Sequence, residues 1–239
     1  MKKLSVVIPA YNEAERIGST LTSIHNFLIK QTYPYEIIVV NDGSRDNTAG
    51  LVSGMAATIK NLKLIDNKHN QGKGGVVKDG MLAATGDIRL FMDADNSTKV
   101  DEITKFLPYF EKGYDIVIGS RRIKGSNIVV HQGLWRDFLG GVFRLIVHTL
   151  VPVGVTDSQC GFKAFSAKAA QEVFPKQRIF RWAFDVEILA IARKMGFKIQ
   201  EAPITWVNDG QSKVKLSGEI NMLIELLKTR LNLWTGKYQ

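Results

Sequence analysis

Cysteine is almost absent. The 239 residues contain one, Cys160, so an internal disulfide framework is excluded and a reducing compartment is favoured. Histidine is scarce as well, at four residues. His131 and His148 read as structural, Cys160 has no Cys or His partner at metal-ligand spacing, and no Ser-His-Asp set is evident. Long apolar runs are missing. The stretch 134–153 is broken by Arg136, Asp137, Arg144, His148 and Pro152, whereas a spanning helix needs about 20 mostly apolar residues. An amphipathic helix against the core or a membrane surface fits that stretch better. Met1 to Leu4 lead directly into an apolar strand, with no signal-peptide pattern. Repeats, low-complexity tracts and a clean linker are also lacking, so one compact domain spanning 1–239 is expected.

Acidic residues are in deficit, 23 Asp+Glu against 32 Lys+Arg, for a formal charge of +9. The deficit is confined to one half. Residues 1–120 hold 14 of each sign, while residues 121–239 hold 18 basic and 9 acidic. Such a balance suggests an acidic partner: nucleic acid, anionic lipid or a phosphorylated small molecule. With 45% hydrophobic and 23% charged residues, the chain has an ordinary globular composition, which excludes disorder and collagen-like structure.

What is present is an alternation of apolar runs and amphipathic stretches. Leu4–Ala10, Glu36–Asp42, Leu62–Asn67, Ile88–Asp95 and Asp115–Arg121 read as strands. Ile17, Leu21, Ile24 and Leu28 recur at helical spacing, a second helix runs through Val52 and Ile59, and Gly74–Ala84 reads as a third. Strands separated by helical segments predict βαβ units and a mostly parallel sheet. Ligands of such sheets bind outside the carboxyl ends of the strands. The second half is less regular: 157–165 is loop or strand, 182–195 a helix, and 198–207 a strand. The spacing of Ile220, Leu223, Ile224, Leu227, Leu231 and Trp234 predicts a final helix with one apolar face.

Polar and glycine residues follow every strand of the first half. Asp93-Ala94-Asp95 closes an apolar strand, and in a regular strand both carboxylates share one face. Alone, such a pair reads first as a turn and an N-cap before a helix over Val100–Phe110. At the end of a central strand beside glycine loops it suits a hard divalent cation completed by substrate phosphates. Asn70–Gly75 (NQGKGG) reads equally as a glycine-rich turn with a solvated lysine or as a loop allowing close backbone approach to an anion at a helix N-terminus, and it lacks the P-loop pattern. Asp42 either shapes a helix-starting turn or accepts hydrogen bonds from a base or ribose. Arg121, Arg122 and Lys124 place three cations on the expected ligand side, where arginine forks suit an anionic acceptor.

Taken as a set, SVVIPAYNEAERI, IIVVNDGSRDNT, NQGKGG, FMDADNST and IGSRR resemble glycosyltransferase family 2, an α/β family on the GT-A fold. DSQCGFKAF, RWAFDVEIL, GQSKVK and TRLNLWTGKY resemble its dolichyl-phosphate glucosyltransferase branch. The resemblance implies transfer of a hexose, with UDP-glucose as donor, to a polyprenyl phosphate. It divides the chain into a nucleotide-sugar half (1–122) and an acceptor and membrane half (123–239). It places Pro9, Ala10, Tyr11, Asn12, Glu13, Asp42, Gly43 and Lys73 against the nucleotide, Asp93 and Ala94 near its ribose and diphosphate, and Mg²⁺ or Mn²⁺ on Asp95 with Asp93. Arg121 would hold the acceptor phosphate, with Asp157, Gln159, Trp182 and Asp185 near sugar and acceptor. The expected location is peripheral, at the cytoplasmic face of the membrane. Eukaryotic members carry a membrane anchor ahead of the first strand, and Asn41 stands where the family often has Asp. A GDP-mannose-using polyprenyl-phosphate mannose synthase is the same-fold alternative. A non-enzymatic nucleotide- or nucleic-acid-binding module is a remote one, because no helix-turn-helix, RRM or zinc-finger pattern is present.

Overall fold

The computed structural model describes residues 2–129, 141, 144–207 and 216–238. His131, Arg136, Asp137 and the GQSKVK motif lie outside them. Seven strands form one sheet in the order β3-β2-β1-β4-β7-β5-β8. These are β1 (Leu4–Ala10), β2 (Tyr35–Asp42), β3 (Leu62–Asn67), β4 (Ile88–Met92), β5 (Ile116–Ser120), β7 (Phe162–Ser166) and β8 (Ile199–Pro203). Two further strands, β6 (Asn127–Ile128) and β9 (Thr205–Trp206), pair separately.

The hydrophobic runs are continuous because both sheet faces are covered. Val7, Ile38, Val40 and Phe91 point into one core with α3 (Lys73–Ala83), α6 (Ala167–Val173), α7 (Phe184–Lys194) and α8 (Leu216–Trp234). Val6, Ile8, Ile37, Val39, Leu90 and Met92 point into the other, with α1 (Ile17–Leu28) and α2 (Thr48–Ala56). Consecutive residues of one strand thus enter opposite cores. From β1 the chain moves outward to β2 and β3, then returns to the other side of β1 as β4. The carboxyl ends of β1 and β4 therefore flank the switch point where such sheets bind ligands.

One strand breaks the parallel pattern. β7 lies antiparallel between β4 and β5, with Phe162 opposite Met92 and Lys163 opposite Ile118. Its direction brings the preceding segment 157–161 to the carboxyl ends of β4 and β5.

Several sequence boundaries are corrected. β4 stops at Met92, so Asp93-Ala94-Asp95 is a turn and does not share a strand face. The expected helix over 100–110 is a 3-10 turn, Val100–Lys105, followed by a short α4, Leu107–Glu111, with Pro108 in its first turn. α2 starts at Thr48, where Asp46 accepts from the Thr48 N–H at 3.0 Å, and ends at Ala56, before Ile59. The 198–207 strand divides after Pro203, because Thr205–Trp206 leaves the main sheet to pair with β6. Residues 144–150 are helical (α5). On α8, the apolar row Leu223, Ile224, Leu227, Leu231 and Trp234 faces solvent, with Trp234 86% exposed. Among the described side chains of that helix, Met222, Leu226 and Thr229 are buried.

At the other end of the sheet, buried Glu36 accepts from Ser5 Oγ (2.7 Å), Thr85 N and Oγ1 (both 2.8 Å) and Lys63 Nζ (3.1 Å). Burial alone would raise its pKa, but these donors outweigh it and hold the carboxyl at about 2, against an ordinary 4.5. A carboxyl lowered by folding contributes stability above its unfolded pKa and loses it as pH falls through the folded one. Native protein should therefore lose on the order of 2 kcal/mol between pH 4.5 and 2 through this group. Urea midpoints across that range check this: Glu36→Gln should be less stable at pH 7 and should lack this part of the acid dependence.

Candidate active site

One side of the switch point is assembled from the ends of β1, β2 and β3. Pro9 and Ala10 close β1. Asn12 adopts a left-handed backbone (φ 52°), which turns its amide toward the next loop. There its Oδ1 accepts from Arg45 N at 2.8 Å, its own N–H donates to Ser44 Oγ at 2.9 Å, and Glu13 N donates to Thr48 Oγ1 at 2.8 Å. Glu13 also pairs with Arg16 at 2.7 Å. Tyr11 is partly exposed above this tie.

Asp42 is buried, and its carboxylate accepts from Gln71 N (2.6 Å), Gly72 N (3.1 Å) and Asn70 Nδ2 (2.8 Å). Burial raises its pKa, against the pull of these N–H groups and of the Arg181 charge. Asp42 thus organises the 70–72 turn ahead of α3. Gly43 (φ 65°) permits the close packing of the two loops, since a Cβ there would lie 3.0 Å from the backbone at His69 and Asn70.

Lys73 opens α3 and its ammonium lies 2.6 Å from Asp93 Oδ1. Burial would lower its pKa, yet the Asp93 and Asp185 charges overcome this and hold it above the ordinary lysine value. The carbonyl of buried Ala94 accepts from Thr20 Oγ1 at 2.7 Å, which pins the Asp93–Asp95 turn to α1. Asp95 accepts from Ser97 N at 2.9 Å. Burial first, and then the neighbouring charge of Asp93, raise its pKa.

The other side comes from β5 and the segment before β7. Arg121 Nε and Nη2 donate to the two oxygens of Asp157 at 2.7 and 2.8 Å, and the Arg121 N–H adds a third bond at 3.0 Å. Burial would raise the Asp157 pKa, but Arg121 brings it below the ordinary range. Glu201 supports this pair from below, accepting from Thr156 N (2.8 Å), Thr156 Oγ1 (2.6 Å) and Asp157 N (3.1 Å). The Arg121 guanidinium lies 5.3 Å from the Trp206 ring centre.

The two sides meet at Gly161. Its carbonyl accepts from Asp93 N at 3.1 Å, and a Cβ on it would lie 2.0 Å from Asp93 Oδ2. Beneath, fully buried Lys163 pairs with Asp185 and donates to Cys160 O at 2.6 Å. Burial, then the Asp157 charge, push the Cys160 thiol up to about 12, so it is no nucleophile. Gln159 Nε2 lies 3.1 Å from Met222 Sδ, and Trp182 packs half-buried on the α7 core.

The structure therefore joins Lys73, Asp93, Asp95, Gly161 and Asp185 into one electrostatic group, with Arg121–Asp157 beside it. Asn12 and Glu13 instead tie to the 44–48 loop. Lys163, Glu201 and Trp206 escaped sequence reasoning. The available signal was a charged residue inside a short buried strand, Lys163 in FKAFS and Glu201 in IQEAP.

Asp95, its pKa raised by burial and by the charge of Asp93 beside it, suits a hard cation. Among the described residues no group of three or more His, Cys, Asp or Glu could hold a metal by itself, so this donor set is of the kind completed by phosphate oxygens and water. The buried Asn96 Oδ1 beside it has no hydrogen-bond partner. The residues fit Mg²⁺ or Mn²⁺.

Comparison with known proteins gives this arrangement a class. Mycobacterium tuberculosis glucosyl-3-phosphoglycerate synthase, crystallised with Mn²⁺, UDP-glucose and phosphoglyceric acid, matches with a TM-score of 0.71 at 19% identity, covering 97% of this chain and 79% of that one. Mannosyl-3-phosphoglycerate synthase from Rubrobacter xylanophilus matches with a TM-score of 0.70 at 19% identity, covering 99% and 75%. The fold is GT-A.

Dolichyl-phosphate β-glucosyltransferases are similar over nearly the whole chain. One from Trichomonas vaginalis is 39% identical over 97% of this chain and 73% of its own length. The Dictyostelium discoideum protein is 37% identical (98% and 75%), and the Mus musculus protein 34% (100% and 78%). The family model for glycosyl transferase family 2 matches residues 5–174. The protein is a glycosyltransferase, and the chain belongs to glycosyl transferase family 2.

Gly161→Ala should push Asp93 off its position while leaving the sheet intact. A loss of roughly tenfold or more in transferase activity is expected from such misplacement of a site group, with an unchanged far-UV spectrum. Purified variant and wild type compared at equal concentration check it.

Proposed function

We propose that this glycosyltransferase moves glucose from UDP-glucose to a dolichyl or other polyprenyl phosphate, giving a β-linked lipid-phosphate sugar at the cytoplasmic membrane face. The observation that carries this reading is the 32–39% identity, over nearly full length, to proteins named dolichyl-phosphate β-glucosyltransferase. The site chemistry supports it. Pro9, Ala10, Tyr11, Asn12, Glu13 and Gly43 would line the nucleotide, with Asp42 acting through the turn it organises. Lys73, Asp93 and Ala94 would lie along the diphosphate and ribose.

Asp95 and Asp93 would hold Mg²⁺ or Mn²⁺. When bound there, the cation supplies neutralisation of the negative charge that develops on the departing diphosphate. Lys73, kept cationic by Asp93 and Asp185, adds fixed positive charge on the same side. Arg121 would orient the acceptor phosphate, whose second pKa of about 6 leaves it largely dianionic at pH 7. The phosphate oxygen is thus its own nucleophile and needs no base. As its bond to C1 forms, the C1–oxygen bond to the diphosphate breaks, UDP departs, and one in-line displacement converts an α donor to a β product. Asp157 spends both oxygens on Arg121, which suits an orienting role and not proton abstraction. Gln159, Trp182 and Asp185 would border the sugar and acceptor.

A donor panel of UDP-glucose, GDP-mannose and UDP-N-acetylglucosamine with polyprenyl phosphate and Mn²⁺ tests the reading. Lipid-linked glucose is expected; preference for GDP-mannose would overturn the donor assignment. Asp95→Ala should lower transfer by about a hundredfold or more, since charge neutralisation is worth several kcal/mol. Near-normal turnover would remove the metal role.

The lipid acceptor calls for a membrane-facing surface. No helix among the described residues is long and apolar enough to cross a membrane. The outward row of α8, ending at Trp234, is flanked by exposed Lys228, Arg230 and Lys237. An apolar stripe with basic flanks and a terminal tryptophan suits an anionic lipid surface. Leu227→Ser with Leu231→Ser should reduce co-sedimentation with anionic vesicles severalfold while sparing turnover of a short, water-soluble phosphate acceptor. Wild-type protein remaining in the supernatant at low salt would overturn the assignment.

A further inference from the structure

Glu187 lies on α7, fully buried and outside the group of residues described above. It faces donors. Its carboxylate accepts from the N–H groups of Arg178 (3.1 Å to each oxygen) and Ile179 (2.8 Å), and from the Tyr238 hydroxyl at 2.5 Å. Tyr238 comes from beyond the end of α8, is 1% exposed, and accepts in turn from Asn232 Nδ2 at 3.1 Å. A buried carboxyl surrounded by N–H and O–H donors is used as an acceptor, and each unmade bond there would leave a buried polar group without a partner.

Residues 177–183, ahead of α7, have no regular structure of their own. Glu187 holds them from below, and from above they meet the turn that carries Lys73. Gln177 Nε2 donates to Gly74 O at 2.9 Å, and Gly75 N donates to Phe180 O at 3.1 Å. The approach is backbone on backbone. A Cβ at Gly72 would lie 2.5 Å from Phe180 O, and one at Gly74 would lie 2.9 Å from Ile179 O. Lys78, one turn further along α3, adds bonds to the carbonyls of Pro175 (3.3 Å) and Gln177 (3.2 Å). The glycines leave no side chain to absorb a shift, so displacement of the strap is passed to the turn.

We propose that Glu187, with Tyr238 seated on it, is a positioning residue that sets the 177–183 strap and, through it, the Gly72–Gly75 turn and the Lys73 ammonium. Its kinetic consequence rests on the reading above that this turn receives the donor diphosphate. Neither side chain is assigned contact with substrate; both act through the strap.

Glu187→Gln replaces one acceptor oxygen by a donor facing donors, and Tyr238→Phe removes the hydroxyl's bonds to Glu187 and from Asn232 while keeping the ring. Amide hydrogen exchange on unliganded protein reads the latch without reference to function. Exchange over 72–76 and 178–180 should accelerate at least fivefold in Glu187→Gln and measurably in Tyr238→Phe. Unchanged exchange over 72–76 in both variants overturns the proposal. Steady-state kinetics add the second reading. The UDP-glucose KM should rise roughly tenfold in Glu187→Gln and about threefold in Tyr238→Phe, while the acceptor KM stays constant and kcat falls less than the donor KM rises. Tyr238→Phe should add nothing in the Glu187→Gln background, because both act on one strap. A purely structural role would lower the melting temperature and apparent kcat with both the exchange over 72–76 and the donor KM unmoved, and that result also overturns the proposal. Accelerated exchange with unchanged donor KM would instead leave the latch standing and remove the donor from this turn. If Glu187→Gln does not fold, Tyr238→Phe alone decides each point.

Discussion

The antiparallel seat of β7 between two parallel strands governs the assembly of the site. Had the chain entered this gap parallel, the segment before the strand would emerge at the opposite end of the sheet. Entering antiparallel, with Phe162 opposite Met92, it delivers Asp157 to Arg121, Gly161 to Asp93 and Lys163 to Asp185 within seven residues. The register is exacting, because a slip of one residue would exchange the faces of Phe162 and Lys163 and bury the lysine in the opposite core without its carboxylate partner. The pair Lys163–Asp185 is therefore less a source of stability than a condition on register, since breaking a buried pair on one side costs several kcal/mol.

Charge at the site follows a simple economy. Three cations each have a carboxylate: Lys73 with Asp93, Arg121 with Asp157, Lys163 with Asp185. Asp95 forms no ion pair among the described residues and has a raised proton affinity. The first half of the chain carries 14 charges of each sign. The basic excess sits in the other half, with exposed Lys228, Arg230 and Lys237 around the apolar row of α8.

Much of the fold was legible. The strands of the first half came from continuous apolar runs, and the helices from 3.6-residue spacing. The ligand end came from the residues following each strand. Asp93 and Asp95 were singled out partly for a mistaken reason, since the strand they were assigned to ends at Met92 and a turn brings them together. The apolar face of α8 was legible as a face, but periodicity cannot say whether core or solvent lies opposite it, and the buried side proved to be Met222, Leu226 and Thr229. Lys163, Glu187, Glu201 and Trp206 were out of reach for another reason. Their partners lie 22, 51, 45 and 85 positions away, at Asp185, Tyr238, Thr156 and Arg121, and local pattern carries no trace of such pairings.

The buried thiol of Cys160 has a practical consequence. With its pKa near 12 and 2% exposure, the lone cysteine is chemically silent in the folded protein at neutral pH. A thiol introduced by substitution anywhere on the surface would be the sole reactive one, with no background residue to remove first. Placed along the outward row of α8, a single environment-sensitive dye could report immersion depth residue by residue, making the native chain its own spectroscopic ruler.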